Sequence, residues 1–545
     1  MMLRRLGRYF ATVRHLKPSQ VLGRVWFRAY RPKPDLRPAP AVRSIRHAIR
    51  PFNAKQASLT GPKIVNFLGR HGDISTAGAW QNESYSLLWL YNLHYFDDLA
   101  AEGARDRTAW QRDLLNRWIV ENPPVSGVGW QPYPTSLRIV NWIKWHLTVE
   151  PLSQQASGSL AVQARHLRNR LEHHILGNHL LANAKALYLA GAYFSGTEAD
   201  IWLSLGRRLL ERQLKEQVLD DGAHFELSPM YHLIVLEDLL DVVNIGRAYD
   251  LPLPSGIEGT VERMLAWSRV MRHPDGDIPF FNDATLGIAP TPAEVDAYGA
   301  RLSLASAKVP DPAAMMAASG YARLQAEDAV LFADLAAVGP SYLPGHAHAD
   351  TLSFELSIGS ERVLVNGGTS VYGLSAERGR QRGTAAHTTL SVDGQNSSDV
   401  WAGFRVGRRA SPRLLAYAEG EPTILAADHD GYLHRPGAPR HKRQWVLDAR
   451  SLAVTDSVSG SGIHLLEAFY HFHPDIKLEI VSNGISLRLP SGRLMTVVVP
   501  SDCQSELIPS TWHPGFGIAL PSRTLRVSRN VVLPTIIQVS CYWDA

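Results

Sequence analysis

Two histidines stand two residues apart, directly before a predicted β-strand. They are His346 and His348 in the stretch Gly-His-Ala-His-Ala-Asp, and the strand begins near Leu352. Because alternate residues of an extended chain face the same side, the two imidazoles should point the same way. Such a pair is suited to binding a metal ion or to acid–base catalysis. The nearest candidates for further metal ligands are Asn366 and His387, and spacing alone leaves both functions open.

Two predicted helix starts carry polar side chains that could bind an anion or transfer a proton. Asn178 and His179 open one helix, where free N–H groups and the helix dipole favour an anionic ligand. Tyr231 lies in the first turn of a second helix, where the dipole lowers the cost of a phenolate and supports an acid–base role. Simple helix capping would explain Asn178 equally well, and Tyr231 could merely cover a helix end.

Aromatic and polar side chains alternate in two further stretches, around residues 91–95 and 130–142. Tryptophan and tyrosine rings stack on sugars, and Arg, Asn and Gln donate planar hydrogen bonds, so this mixture is typical of carbohydrate sites. Core packing would explain many of the aromatic residues too. Arg138 is predicted to bind an anion. The other candidates for substrate binding are Tyr91, Asn92, His94, Trp130, Tyr133 and Glu226.

The apolar pattern that must position these residues changes its period near the middle of the chain. From about residue 80 to 302 it is helical, and from about 321 onward it alternates with a spacing of two, with hairpin turns such as Asp393-Gly394. A long helical part followed by a long strand part predicts two separately packed domains. We place the helical domain at 51–315, the strand domain at 316–545, and the seam near 309–318.

The composition indicates a folded chain rather than a disordered or fibrous one. The 545 residues are 45% hydrophobic and 20% charged, and the two cysteines exclude a disulfide scaffold. Residues 1–50 form a separate basic segment with thirteen Lys/Arg and one acid, Asp35. Its stretch 16–30 predicts a helix that packs on the body or contacts an anionic surface. Elsewhere basic residues are dispersed and balanced by acids, which disfavours a nucleic-acid partner.

Targeting signals are weak in this sequence. No apolar run follows the basic segment as a secretory signal peptide would require, and no stretch approaches the length of a membrane span. The sequence therefore predicts no classical signal peptide and no transmembrane segment. A cytoplasmic location and an association with the cell envelope both remain open, as does the oligomeric state.

Several separated motifs together resemble the heparinase II/III-like polysaccharide lyases. They are GNHLLANAKAL at 177–187, ELSPMYH at 226–232 and GHAHADTLSFEL at 345–356, followed by VNGGTSVYG and AHTTLSVDG. The resemblance covers roughly residues 80–410. It implies an N-terminal incomplete (α/α) toroid followed by a C-terminal antiparallel β-sandwich, a multidomain α+β architecture. The active site of such enzymes lies in the cleft between the two domains.

The resemblance also implies a role for each matching residue. Asn178 and His179 would hold and neutralise a uronic acid carboxylate. Tyr231 would protonate the glycosidic oxygen and abstract the C5 proton, with His346 as the alternative base. His348, Asn366 and His387 occupy the positions of a metal triad that often binds structural zinc. The family pattern has Asp where Asn366 stands, and a neutral amide oxygen should lower the metal affinity.

These roles predict β-elimination of an anionic, uronate-containing polysaccharide. Removing a proton beside a carboxylate requires preorganised donors that stabilise the developing enolate, and Asn178, His179 and Arg138 are the candidates. One alternative is a glycoside hydrolase that draws its acids from Asp221, Glu226, Asp283 and Asp350. Another is a non-catalytic sugar-binding protein on the same scaffold, serving in exopolysaccharide or capsule metabolism.

Overall fold

The structure is a computed structural model that describes residues 2–304, 314–482 and 484–544, with side chains from residue 7 onward. Its first part is dominated by α-helices. Within the described residues these are α1 (Met2–Val13), α2 (Pro18–Ala29), α3 (Leu87–Tyr95), α4 (Thr108–Glu121), α5 (Pro132–Thr148), α6 (Gln154–Arg168), α7 (Gly177–Tyr193), α8 (Thr197–Gln217), α9 (Pro229–Ala248), α10 (Ile257–Val270), α11 (Pro292–Arg301) and α12 (Ala376–Gln381).

Helix α7 is the centre of the helical domain. Every residue of α7 except His179 is buried, and α5, α8 and α9 pack against it. Alanine and leucine dominate its sequence, so it combines high helix propensity with apolar surface on all sides. Gly206 of α8 allows that helix to pack closely on α7, because a Cβ at this position would collide with the backbone of Tyr188. The helix therefore holds its N-terminal residues on a rigid base.

Helix α9 has a well-defined start. The Ser228 hydroxyl accepts a hydrogen bond from the backbone N–H of Tyr231 at 3.2 Å, and Pro229 occupies the first helical position. A serine cap followed by proline satisfies a free N–H group and sets the first φ angle. This start fixes Tyr231 in the first turn of α9, as the sequence predicts.

The second part of the chain consists of antiparallel sheets. A five-stranded sheet has the order β4-β5-β6-β7-β8, an eight-stranded sheet the order β12-β13-β14-β15-β22-β19-β18-β17, and a four-stranded sheet the order β20-β21-β16-β9. Their strands are β4 (Ala314–Met316), β5 (Tyr321–Ala326), β6 (Ala329–Asp334), β7 (Phe354–Ile358), β8 (Glu361–Leu364), β9 (Leu390–Val392), β12 (Pro412–Ala418), β13 (Thr423–His429), β14 (Arg440–Asp448), β15 (Ser451–Ser459), β16 (Ile463–His471), β17 (Lys477–Val481), β18 (Gly484–Arg488), β19 (Leu494–Val498), β20 (Gln504–Trp512), β21 (Leu520–Val532) and β22 (Thr535–Trp543).

Two smaller sheets complete the described strands. β10 (Val400–Trp401) pairs with β11 (Arg405–Val406). The strands β1 (Leu59–Gly61), β2 (Ile64–Phe67) and β3 (Arg70–Asp73) form a three-stranded sheet ahead of the helices. This last sheet lies within the predicted helical domain, 51–315, but before residue 80, where the predicted helical pattern begins. Its strands have only three or four residues each, too few for an alternating pattern to be read from the sequence.

The prediction of a helical domain followed by an antiparallel strand domain is confirmed, whereas the toroid and sandwich arrangements remain predictions. The two domains share a small apolar core that joins Trp267 and Phe281 to Tyr321 and Phe332. The boundary predicted between residues 315 and 316 falls inside β4, and residues 309–313 of the predicted seam lie outside the described residues. No helix among the described residues is long and apolar enough to cross a membrane.

Candidate functional site

The N-terminal ends of α7 and α9 meet the segment that precedes β7. Asn178 donates from its side-chain nitrogen to both carboxylate oxygens of Glu226 at 3.0 Å. The second of these oxygens lies 3.4 Å from Nε2 of His346. The ring of His346 packs over that of Tyr231 with 3.9 Å between centroids. Three of the predicted catalytic residues therefore converge at the contact between the domains.

Tyr231 is half-buried, and its hydroxyl lies 3.0 Å from the hydroxyl of Tyr372. Burial, followed by the proximity of Tyr372 and Asp283, raises the pKa of Tyr231 well above its ordinary value. The phenol therefore keeps its proton at neutral pH. Desolvation thus opposes the stabilisation of a phenolate that the helix dipole was expected to provide. Such a phenol is suited to donating a proton.

His346 is oriented by a buried carboxylate. Its Nδ1 lies 2.9 Å from Oδ2 of Asp283, and a carboxylate can only accept, so Nδ1 carries hydrogen. The opposite nitrogen, Nε2, is left facing Glu226. The side chain is 15% exposed, so part of it remains accessible to a ligand.

Asp283 connects several groups beneath the site. Its Oδ1 lies 2.8 Å from Nε2 of His348, and its Oδ2 accepts from Nη2 of Arg378 at 2.7 Å. Nη1 of Arg378 donates to Oδ1, which completes a bidentate pair between two fully buried side chains. Burial alone would raise the pKa of Asp283, but Arg378 and the histidines outweigh it and hold that pKa well below its usual range. Asp283 is therefore a carboxylate that fixes both histidines.

Sequence reasoning missed most of this support. It named Asp283 only as a possible acid of a hydrolase, and it did not single out Arg378 or Tyr372. Arg378 lies on the short helix α12, and its guanidinium lies 4.9 Å from the ring of Tyr372. The motif VNGGTSVYG contains Tyr372, but nothing in the pattern indicated that its hydroxyl would meet Tyr231.

His179 is the one residue of α7 that is not buried, and it lies beside a second carboxylate. Its Nδ1 is 3.1 Å from Oε1 of Glu172, and its ring packs 4.3 Å from the ring of Tyr133. Burial lowers the pKa of His179, but Glu172 acts in the opposite direction and the net pKa is raised. The imidazole is thereby favoured in its cationic form, which can bind an anion. Asn178, by contrast, is engaged with Glu226.

The other predicted substrate-binding residues separate into two groups. Tyr91, Asn92 and Tyr133 are half-buried, and the side-chain nitrogen of Asn92 donates to the carbonyl of Leu88 at 2.8 Å. The Tyr91 hydroxyl donates to the side-chain oxygen of Gln131. Burial raises the pKa of Tyr133 beyond its ordinary range, and nearby carboxylates, Asp238 foremost, add to the shift. These three side chains remain candidates for contact with a ligand.

Arg138, His94 and Trp130 belong to the helical core, which corrects their assignment as substrate-binding residues. The guanidinium of Arg138 has no exposed surface, donates to the Gly129 carbonyl at 2.8 Å and lies 3.8 Å from the ring of Trp118. An arginine within an aromatic stretch gives the same sequence pattern at a sugar site and at a buried cation–π contact. Only the three-dimensional packing distinguishes them.

Two buried histidines, His94 and His232, should make the folded protein less stable in mild acid. His94 accepts from Trp118 Nε1 at 3.0 Å, and His232 accepts from the His224 backbone at 3.2 Å, so both are neutral donors at Nε2. Burial lowers the pKa of each to about 3. The unfolded chain binds these protons below its pKa of about 6.5, so stability is complete above that pH and declines as the pH falls toward 3.

We therefore expect the free energy of unfolding to fall by about 1.3 kcal/mol for each of these histidines between pH 7.5 and pH 5.5. Urea unfolding at the two pH values measures the change. His94→Gln should reduce the pH dependence by one histidine's share, and the matched variant of the exposed His47, His47→Gln, should leave it unchanged. Equal pH dependence in the two variants would contradict the prediction.

A second cluster of buried side chains lies on the other side of Asp283. Nδ1 of His348 is 3.2 Å from Nε2 of His387, and one ligand atom each of His348, Asp350 and His387 lie within 4.8 Å of one another. Nδ1 of His387 is buried without a hydrogen-bond partner among the described residues. The side-chain oxygen of Asn366 accepts from the backbone N–H of Thr388 at 3.1 Å. Asp350 thus supplies a carboxylate near the histidines that sequence reasoning did not assign as a ligand.

Two family models match most of the chain. The model described as heparinase II/III N-terminus matches residues 107–292, and the model described as heparinase II/III-like, C-terminal, matches residues 308–540. A heparin-sulfate lyase of Bacteroides stercoris is 35% identical over 113 residues, 20% of this chain and 17% of the relative. A heparin-sulfate lyase of Pedobacter heparinus is 28% identical over 243 residues, 40% of this chain and 36% of the relative. This chain thus aligns with well under half the length of either relative.

Solved structures show the same fold. A structure described as heparinase III superposes with a TM-score of 0.68 at 16% identity, over 97% of this chain and 85% of that one. A heparan sulfate lyase from Pedobacter heparinus superposes with a TM-score of 0.62 at 18% identity, over 96% of this chain and 87% of that one. The matches to both family models, the shared fold and the convergence of Asn178, Tyr231 and His346 lead to one conclusion. The chain belongs to the heparinase II/III-like family.

Proposed function

We propose that this protein cleaves a uronate-containing polysaccharide by β-elimination. The observation that carries the proposal is the packing of the Tyr231 ring against the His346 ring, with 3.9 Å between centroids, beside the start of α7 that carries His179. The names of the relatives, heparin-sulfate lyases, support the same class of substrate. The arrangement brings a proton donor, a proton acceptor and a cationic group to one place, and elimination beside a carboxylate needs these three groups.

Each group has a separate step in the proposed reaction. The cationic His179 binds the uronate carboxylate and stabilises the enolate charge that develops when the C5 proton leaves. His346 accepts that proton at Nε2, and the electrons of the C5–H bond pass into the carboxylate to form the enolate. These electrons then form the C4–C5 double bond as the bond from C4 to the glycosidic oxygen breaks, and Tyr231 donates its phenolic proton to that oxygen. Asn178 holds Glu226 next to Nε2 of His346.

The positions of the carboxylates favour elimination over hydrolysis. Glu226 and Asp283 face opposite nitrogens of His346, are 1% and 0% exposed, and accept hydrogen bonds from Asn178 and Arg378. A hydrolase needs one carboxyl group to protonate the leaving oxygen and another to act as nucleophile or to activate water. The two carboxylates that flank the imidazole are committed to internal donors, so they are poorly suited to either role.

Analysis of the reaction products tests the proposal. We would incubate the protein with alginate, glycosaminoglycans and bacterial exopolysaccharides, and follow the ultraviolet absorbance and the masses of the products. Elimination predicts an unsaturated uronate at each new non-reducing end. Products with only saturated ends, heavier by one water per cleavage, would show hydrolysis instead.

We further propose that His348, Asp350 and His387 bind one divalent ion, for which zinc is the best match. Burial lowers the pKa of His348 to about 4 and that of His387 to about 3, so both imidazoles are neutral and can act as ligands. Asp283 accepts from the far nitrogen of His348, the usual outer partner of a metal-bound histidine. When bound, the ion would supply a structural link between the segments that precede β7 and β9.

Metal analysis checks this assignment independently of activity. We expect about one zinc per chain by mass spectrometry, and a lower melting temperature after chelation. Asp350→Asn and His387→Gln should lose most of the zinc. His429→Gln is the matched control, because His429 and His441 form another buried pair at 3.1 Å, and its zinc content should not change. Full zinc content in Asp350→Asn would remove Asp350 from the ligand set.

A further inference from the structure

Helix α2 exposes a continuous apolar stripe. Leu22, Val25 and Trp26 are 69%, 64% and 63% exposed, and Val21 is 52% exposed. Tyr30 extends the stripe, with its ring stacked 4.9 Å from that of Trp26. Spacings of three and four residues place these side chains on one face of the helix. An amphipathic helix of a globular protein ordinarily buries such a face against the core.

The opposite face of α2 is the one that packs on the folded domains. Gln20 is buried and donates from its side chain to the Tyr342 carbonyl at 3.2 Å. The ring of Phe27 packs 4.2 Å from that of His174, and Nη1 of Arg170 donates to the Phe27 carbonyl at 2.8 Å. The helix is therefore fixed in an orientation that directs its apolar stripe away from the protein.

Helix α1 repeats this arrangement against the strand domain. Ala11 is buried, and Nε1 of Trp401 donates to the Thr12 hydroxyl at 3.2 Å. Phe10 and Val13 are 68% and 51% exposed. We call the exposed apolar side chains of these two helices the α1–α2 surface: Tyr9, Phe10, Val13, Val21, Leu22, Val25, Trp26 and Tyr30.

The charge that the two helices themselves carry has a single sign. Nine Lys/Arg and no Asp/Glu precede Asp35. Arg14, Arg24 and Arg28 are exposed and form no ion pair with any described side chain. Exposed arginines beside tryptophan, tyrosine and leucine suit an interface at which phosphate groups lie next to hydrocarbon. A second copy of this chain would instead bring like charges together.

We propose that the α1–α2 surface binds the surface of an anionic lipid bilayer. The apolar stripe enters the boundary between headgroups and acyl chains, and the arginines contact lipid phosphates. Because both helices are docked on the folded domains, this contact fixes the orientation of the whole protein on the membrane. The proposal is independent of the reaction that the protein catalyses.

Vesicle sedimentation with the full chain tests the proposal. We expect partition into vesicles of phosphatidylcholine mixed with phosphatidylglycerol, and at least about tenfold weaker partition into pure phosphatidylcholine or at high salt. Leu22→Glu/Trp26→Glu should reduce partition into the mixed vesicles at least about tenfold, and Arg24→Gln/Arg28→Gln should reduce it about fivefold per arginine. Melting temperatures should stay unchanged, because these side chains are exposed.

The matched control is Val120→Glu/Ile480→Glu, which alters two apolar residues that are 72% and 75% exposed elsewhere on the protein. It should bind the mixed vesicles as the unmodified chain does. Failure of the unmodified chain to sediment, equal binding to neutral vesicles or an equal loss in the control would each overturn the proposal. Light scattering that showed a dimer, dissociated by Leu22→Glu/Trp26→Glu, would make the surface an interface between copies and overturn it too.

Discussion

Replacement of Tyr231 by Phe is expected to lower kcat by about 10³-fold on any polysaccharide that the protein cleaves. The ring of Phe can keep the 3.9 Å packing against His346, so the substitution removes only the proton donor and its contact with Tyr372. KM should change little, because the phenolic proton is transferred only as the glycosidic bond breaks. Steady-state kinetics from the absorbance of the unsaturated product measure both constants.

The high pKa of Tyr231 adds an expectation on pH. Because burial and its neighbours hold that pKa well above the ordinary value of 10.0, the phenol should stay protonated throughout the neutral and mildly alkaline range. Tyr249→Phe is the matched control, because Tyr249 is a buried tyrosine whose hydroxyl has no hydrogen-bond partner among the described residues. Its kcat should equal that of the unmodified protein. Near-normal turnover in Tyr231→Phe would exclude Tyr231 as the acid.

Asp283→Asn is expected to lower both stability and turnover. An amide in place of the carboxylate leaves the buried guanidinium of Arg378 without its counter-charge, at a cost of about 3–5 kcal/mol in the free energy of unfolding. It also replaces the charged acceptor that orients His346 by a neutral amide, and we expect kcat to fall by about 10²-fold. Urea unfolding and kinetics on the remaining folded protein measure the two effects.

Asp456→Asn separates the positioning role of Asp283 from its structural one. Asp456 is a second buried carboxylate, and it accepts from Nε of Arg443 and lies near Nε2 of His441, both at 2.7 Å. We expect a similar loss of stability with unchanged kcat. Only Asp283→Asn should lower kcat, because Asp283 contacts His346 whereas Asp456 contacts His441. Equal kinetics in the two variants would reduce Asp283 to a structural residue.

The residues that we propose act directly were within reach of sequence reasoning. Asn178 and Tyr231 lie at helix starts that the sequence predicts, and the alternation of His346 and His348 identifies an extended segment. Helix starts and strand alternation depend on neighbours in the sequence. The structure brings Asn178, Tyr231 and His346 together, although their catalytic roles remain predictions.

The groups that support them could not be found in this way. Asp283 lies 63 residues before His346 and 95 before Arg378, and its partners depend on how the two domains meet. Arg138 was wrongly predicted to bind substrate. Its aromatic neighbours surround it in the core rather than at a binding site. Pairing over such separations depends on tertiary packing, which has no periodic signature in the sequence.

The sequence by itself determined the order of a helical and a strand domain, because helix and strand periods follow from local backbone geometry. It also determined that Asn178 and Tyr231 lie at helix starts and that His346 lies ahead of a strand. Only the tertiary structure decided that Asp283 unites two histidines with Arg378, that Arg138 is internal, and that α2 directs its apolar stripe outward. Those outcomes depend on which faces meet across the fold, and a periodic pattern defines the faces of a helix without saying what each face will contact.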